Sequence, residues 1–214
     1  MKLLAVNGSP RKAWNTASLL AEVVKGAESA GAEAELVHLR DLGPYKGCIS
    51  CFHCKDPKGK SYGRCIVKDE LKPLLDTAHE ADVLVFGTPV YFGAETGLMR
   101  NFLERMWFQY YLYSKTKPSL SPEKKATALL YTMNIREENL AARGYDRLFA
   151  TAQEFMGKIL APCEVFLCTN TKQFNDYSRY ETDLFDVPAK LKRHEEIFPQ
   201  ELQRAFALGK RLVS

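Results

Sequence analysis

Short apolar runs with no polar alternation do most to limit how this chain can fold. They are Leu3-Leu4-Ala5-Val6, Val83-Leu84-Val85-Phe86 and the stretches Lys125 to Tyr131 and Glu164 to Thr169, with Glu33 to Leu39 as a less apolar counterpart. A strand that faces water on one side alternates; a strand covered on both faces does not. Between the runs lie segments with apolar residues at helical spacing. Thr16 to Ala30 carries Leu19, Leu20, Val23, Val24 and Ala27 and stops at Gly31. Asp69 to Ala81 carries Leu71, Leu74, Leu75 and Ala78. Gly97 to Phe108 and Glu137 to Leu160 follow, the latter with a break at Gly144, and then Pro188 to Val213, interrupted at Pro199. Strand and helix alternate throughout, which predicts an α/β domain whose parallel sheet is sandwiched between helices in three layers.

The length of 214 residues suits one such domain, read over residues 1–214 with a cysteine-containing loop insertion at about 43–66. The apolar fraction of 46% argues against disorder. No apolar run approaches the roughly 20 residues of a membrane helix. The N-terminal run is too short for a signal peptide, so a soluble, cytoplasmic protein with no membrane partner is expected. A net charge of +4 suits an anionic cofactor but does not call for nucleic acid. The basic residues are scattered, with Lys124-Lys125 and Lys190, Lys192 and Arg193 as local groups that read as solvated faces.

In a doubly wound sheet, ligands bind beyond the carboxyl ends of the strands, at the switch in strand order. The first loop at that edge is Gly8-Ser9-Pro10-Arg11-Lys12-Ala13-Trp14-Asn15-Thr16-Ala17-Ser18, leading into a helix. A helix N-terminus offers unpaired N–H groups and a positive dipole end to a phosphate. Ser9, Asn15, Thr16 and Ser18 add donors, and Arg11 adds a charged one. Capping by Asn15 or Thr16 would explain part of this, but not Arg11 and so many hydroxyls together. Neither Gly-x-x-x-x-Gly-Lys nor Gly-x-Gly-x-x-Gly is present, so an ATPase loop and a dinucleotide fingerprint are unsupported.

Gly8-Ser9-Pro10-Arg11, then Asn15-Thr16 and Leu19-Leu20, resembles the phosphate loop of NAD(P)H-dependent FMN reductases of the flavodoxin superfamily. Gly87-Thr88-Pro89-Val90-Tyr91-Phe92-Gly93 resembles that family's flavin-ring loop, and Gly97-x-Met99-x-x-Phe102-Leu103-Glu104-Arg105 the helix after it. Trp14 departs from the small residue expected in the first loop. The resemblance implies a flavodoxin-like three-layer sandwich with a five-stranded parallel sheet in the order 2-1-3-4-5. It implies FMN as cofactor, held by Ser9, Arg11, Asn15, Thr16 and Ala17 at the phosphate, and by Pro89, Val90, Tyr91, Phe92 and Gly93 at the ring. Thr132 and Asn134, ending the fourth strand on the same edge, are expected to lie against the ring or ribityl chain. NAD(P)H is the implied transient reductant, and a quinone, another flavin or a further acceptor takes the electrons. No protein acid or base is required, so no catalytic residue is assigned. Such reductases commonly form homodimers or homotetramers; the aromatic stretch Trp107 to Tyr113 reads either as a subunit contact or as a core helix end.

Cys48-x2-Cys51-x2-Cys54-x10-Cys65 is the sharpest oddity of the sequence. Three cysteines at such intervals wrap readily around one iron–sulfur cluster, with a fourth ligand further on. The pattern resembles the compact motif of iron–sulfur flavoproteins, which carry a [4Fe–4S] cluster beside FMN and exchange electrons with a ferredoxin-like partner. The final gap is longer than in that motif, and a structural or redox-active thiol loop accounts for the pattern equally well. His53 reads as a surface or partner-contact residue, Cys163 and Cys168 as buried and inert, and Glu104-Arg105 as a surface pair.

Overall fold

A computed structural model describes residues 1–121 and 125–214. Lys124 of the basic pair lies outside the described residues. The strands are β1 (Lys2–Asn7), β2 (Glu33–His38), β3 (Val83–Tyr91), β4 (Ala94–Glu95), β5 (Ala126–Thr132) and β6 (Cys163–Cys168). The helices are α1 (Asn15–Ser29), α2 (Lys72–Glu80), α3 (Gly97–Tyr110), α4 (Tyr145–Ile159), α5 (Val187–Glu196) and α6 (Phe198–Leu212).

Five strands pair in parallel in the order β2-β1-β3-β5-β6, and the short β4 folds back antiparallel on β3. Counting the parallel strands alone, this is the expected order 2-1-3-4-5. The apolar runs need both faces covered because successive side chains alternate sides. Leu4 and Val6 of β1 join Leu84, Phe86, Leu129 and Tyr131 in a core closed by α2, α3 and α4. Leu3 and Ala5 join Val83, Val85, Ala128 and Leu130 in a second core closed by α1 and α6. β2, at the sheet edge, is only half-buried.

The boundaries differ from expectation where a local interaction wins. The third strand runs on through Thr88-Pro89 to Tyr91, because Tyr91 pairs with Ala94 across the two-residue turn Phe92-Gly93. Both turn residues have positive φ, 51° and 80°, the conformation that suits a tight hairpin to the twist of its strands. The expected long helix over 137–160 begins only at Tyr145; two 3₁₀ turns precede it, and Gly144 is left-handed at φ 70°. The second helix starts at Lys72 rather than Asp69, with Pro73 in its first turn, where a missing N–H costs nothing. The last helical stretch divides into α5 and α6, with Pro199 in the first turn of α6, where its missing N–H costs nothing.

Candidate functional site

Thr96, the N-cap of α3, joins the two expected cofactor loops. Its Oγ1 donates to the Gly8 carbonyl at 2.7 Å and accepts from Met99 N at 3.2 Å, and its own amide donates to Thr88 Oγ1 at 3.3 Å. Gly8 N donates to Gly87 O at 2.8 Å. A Cβ on Gly8 would stand 2.6 Å from Met99 Cβ, so glycine is what lets the loop pass over α3. The hairpin is anchored in turn by buried Tyr131, which donates to Glu95 Oε1 at 2.9 Å.

A cleft of ≈ 270 Å³ opens at this edge, at the switch in strand order between β1 and β3. Ser9, Arg11, Asn15, Thr16, Pro89, Val90, Tyr91, Thr132 and Asn134 all line it. Ala17 is buried beneath it in the first turn of α1. Phe92 and Gly93 stand outside, at the hairpin tip, with the Phe92 side chain wholly exposed. Pro89 pairs with Thr132 across β3 and β5, and Thr16 Oγ1 lies 2.7 Å from Thr132 Oγ1, so two strand ends and the first turn of α1 meet at one floor.

The residues fit a phosphate in one specific respect. Trp14 occupies the N-cap of α1 and supplies no side-chain cap, while Asn15, Thr16 and Ala17 in the first turn are buried. A buried helix start without a side-chain acceptor is what an anion completes.

Sequence reasoning missed one wall. Thr171, Lys172, Gln173 and Phe174 line the cleft, yet the segment over 171–186 has no periodicity and reads as irregular. The loop side chains hold it: Trp14 Nε1 and Asn15 Nδ2 both donate to Lys172 O, at 3.1 and 2.8 Å, and Arg11 donates to Gln173 O at 2.5 Å. Trp14, the departure from the expected motif, is thus an anchor, with the Arg11 guanidinium stacked 4.9 Å from its ring centre. The signal was Trp14 itself, a large indole whose N–H needs an acceptor. Beyond this wall a second groove shares Arg11, Trp14, Gln173 and Phe174 and adds Arg40, Arg179, Asp176 and Tyr180. None of these three arginines forms a salt bridge among the described residues, and Asp176 is turned to Ser178.

The four clustered cysteines surround a separate recess with Ile49, Phe52, Ile66, Val67 and Phe108, against the C-terminal half of α3. The chain between them turns at Ser50 and Phe52, both with positive φ, 52° and 58°. Cys48, Cys51, Cys54 and Cys65 all reach the lining of the recess, Cys54 buried and Cys51 exposed. Among the described residues no three His, Cys, Asp or Glu side chains come close enough to share one metal ion, so the thiols are spread around the recess rather than gathered at a point. Burial pushes the Cys54 thiol up, and the Lys55 ammonium beside it opposes that shift. His53 is exposed, as expected of a surface residue.

Arg105 is not a surface residue. It is 1% exposed and lines the recess, with its guanidinium on Asp69 at 2.6 Å and on the carbonyls of Lys46 and Val67. Glu104 accepts from Cys48 N at 3.3 Å. The adjacent pair reads as solvated because charge in a helix usually is, and its partners are distant in sequence. Trp107 and Tyr110 are buried in the core, whereas Tyr113 is exposed. Cys163 and Cys168 are buried, and burial raises both thiols, that of Cys163 to about 11.

An open parallel sheet with a phosphate-type cleft at its switch point defines the flavodoxin-like class. The chain belongs to the NADPH-dependent FMN reductase family, whose model matches residues 1–136. It is 41% identical over 107 residues to an iron–sulfur flavoprotein of Archaeoglobus fulgidus (49% of this chain, 48% of the relative). It is 34% identical over 107 residues to one of Methanocaldococcus jannaschii (49% of this chain, 51% of the relative). The chain spans about half the length of these curated relatives. Among solved structures, an NAD(P)H:quinone oxidoreductase from Methanothermobacter marburgensis superposes with a TM-score of 0.73 at 14% identity, covering 99% of this chain and 98% of the other. An azoreductase from Bacillus anthracis gives 0.69 at 15% identity, covering 99% of each chain. At these identities the likeness is one of fold. Among the described residues no helix is long and apolar enough to cross a membrane.

Proposed function

We propose that the chain binds FMN in the cleft between the α1 N-terminus and the ends of β3 and β5, and that NADH or NADPH reduces it there. The observation that carries this reading is the buried, uncapped start of α1 in the same cleft as Pro89, Val90 and Tyr91. FMN supplies hydride acceptance and onward electron transfer; the chain supplies binding, orientation and electrostatics. The first-turn amides of α1, with Ser9 and Thr16, hold the phosphate. Arg11 and Asn15, which rest on the carbonyls of residues 172 and 173, exchange those partners for phosphate oxygens. Pro89 to Tyr91 and Thr132 to Asn134 form the wall for the ring. The groove with Arg11, Arg40 and Arg179 supports an anionic dinucleotide approaching from the side of residues 173–180. Electrons then pass to a quinone, a flavin or another acceptor. The exposed Tyr91-Phe92 tip suits contact with a second copy, in a homodimer or homotetramer that covers the flavin.

The cysteine recess favours a second reading. Cys48, Cys51, Cys54 and Cys65 would hold a [4Fe–4S] cluster, within an apolar wall of Ile49, Phe52, Ile66 and Phe108. The protein would then carry electrons between the flavin and a ferredoxin-like partner. Titration of FMN into apoprotein, followed by flavin fluorescence, tests the cofactor. Stopped-flow mixing of the loaded protein with NADH and NADPH tests the reductant, and a flavin that neither nucleotide bleaches sinks that reading. Iron and sulfide determination after anaerobic reconstitution tests the cluster; protein that takes up neither has a thiol loop.

A further inference from the structure

One buried charge has no role so far. Lys190, on the first turns of α5, is 4% exposed. Its ammonium has three donors. They go to Asn134 Oδ1 at 2.6 Å, Asn170 Oδ1 at 2.6 Å and Thr171 O at 3.2 Å, with the Phe185 ring centre 5.4 Å away. All the acceptors are neutral, and Lys190 forms no salt bridge with any described carboxylate. A buried cation is costly unless an anion answers it. Its place near the start of a helix adds to that cost, since the dipole there is also positive. Burial first, then Arg193 and Arg136, lower its pKa to about 8, so it still holds its proton at neutral pH.

Where this charge sits is defined by the cleft. Asn134 and Thr171 are both lining residues. Asn134 follows β5, whose Thr132 pairs with Pro89 of the ring wall, while the phosphate loop follows β1, on the other side of β3. The loops after β5 and β6 are tied together, Thr171 N to Met133 O at 3.0 Å and Asn170 N to Ile135 O at 2.8 Å. Asn170 adopts φ 47°, which turns its amide toward the ammonium. These bonds tie the two loops into one wall, and its positive charge stands behind Asn134 and Thr171, two residues that line the cleft.

We propose that Lys190 is a positioning residue that orients Asn134 and Thr171 and supplies the positive charge opposite the negative charge which flavin reduction adds. The inference rests on the FMN reading of this cleft. A charge acting on the ring, rather than on the phosphate, distinguishes the two oxidation states. It stabilises reduced FMN more than oxidised FMN and so raises the midpoint potential.

The test is spectroelectrochemical titration of FMN-loaded wild type, Lys190→Met, Lys190→Gln and Lys190→Arg. In Lys190→Met and Lys190→Gln we expect reduced FMN to bind about tenfold more weakly relative to oxidised FMN, a midpoint about 30 mV more negative for a two-electron couple. Lys190→Arg restores the wild-type value. Lys190→Gln keeps an amide that can bond Asn134 and Asn170, so it covers the case in which the Met variant does not fold. A folded, FMN-loaded Gln variant with an unchanged midpoint overturns the proposal. So does an equal loss of affinity for both oxidation states, which would mark a purely structural residue. A wild type that binds no FMN fails differently: it overturns the cofactor reading itself.

Discussion

At the scale of single residues, the sharpest lesson is Asp69 and Arg105. Burial pushes the Asp69 carboxyl up, but hydrogen bonds from Arg105 and from the amides of Lys46 and Leu71 outweigh it and hold the group below its ordinary range. A carboxyl with a depressed folded-state pKa adds stability that is fully present above its unfolded value of about 3.9 and is lost as pH falls through the lower folded value. Asp69→Asn removes that contribution and leaves a fully buried guanidinium without its anion, a change that typically costs about 3–5 kcal/mol. Urea unfolding at pH 7 and pH 3 is the measurement. The gap between wild type and Asp69→Asn should be wide at pH 7 and narrower at pH 3; equal gaps at both would mean that the pair does not govern acid stability. Asp69 looks like a helix-starting acid in sequence, and it does accept from Leu71 N; its pairing with the distant Arg105 is what the sequence does not show.

Elements explain how the phosphate loop is held still. α1 carries the loop at its N-terminus and is packed on α6 backbone to backbone. A Cβ on Gly209 would lie 1.9 Å from Val23 O, and one on Gly26 2.0 Å from Phe206 O. Gly209→Ala must push the two helices apart, and overpacking of this kind costs about 1–3 kcal/mol. The melting temperature should fall by about 2–4 °C per kcal/mol. FMN affinity should fall with it, because α1 shifts with the loop; a variant that melts lower yet binds FMN as before would show the loop to be independent of α6. The elements themselves were legible because their signals are local. The run Val83 to Phe86 and the stripe Leu19, Leu20, Val23 and Ala27 each state their own period. The cleft was legible as far as its motifs reach, at Ser9, Arg11, Asn15, Thr16 and Pro89 to Tyr91. Two kinds of feature were not. The wall over residues 171–174 has no period and is fixed by carbonyls, which every residue has. The hairpin tip departs from the cleft because of a pairing between Tyr91 and Ala94 that alternation alone does not specify.

Taken whole, the molecule keeps its two unusual regions apart along one helix. Met99, near the start of α3, packs under Gly8 of the phosphate loop, while Phe108, near its end, closes the cysteine recess. At a rise of about 1.5 Å per residue these contacts are separated by roughly 14 Å along the axis. Their main supports differ, the cleft on the ends of β1, β3 and β5 and the recess on Arg105, Asp69 and Gln109, and the one ion-pair link between them among the described residues is the exposed Arg100, which lies 3.7 Å from both Glu95 and Glu104. Changes in the recess should therefore leave the cleft intact. In a Cys51→Ser/Cys54→Ser protein, reconstituted iron should drop to background while the FMN dissociation constant stays within about threefold of wild type, since sites farther apart than about 10 Å with no shared partner behave additively. Reduction of the flavin by NAD(P)H should persist, and transfer to a one-electron acceptor should slow if the cluster lies on the exit path. Loss of FMN together with iron would instead mean that the loop over 43–66 folds as part of the flavin site. Retention of all acceptor activity without iron would place the exit at the flavin alone.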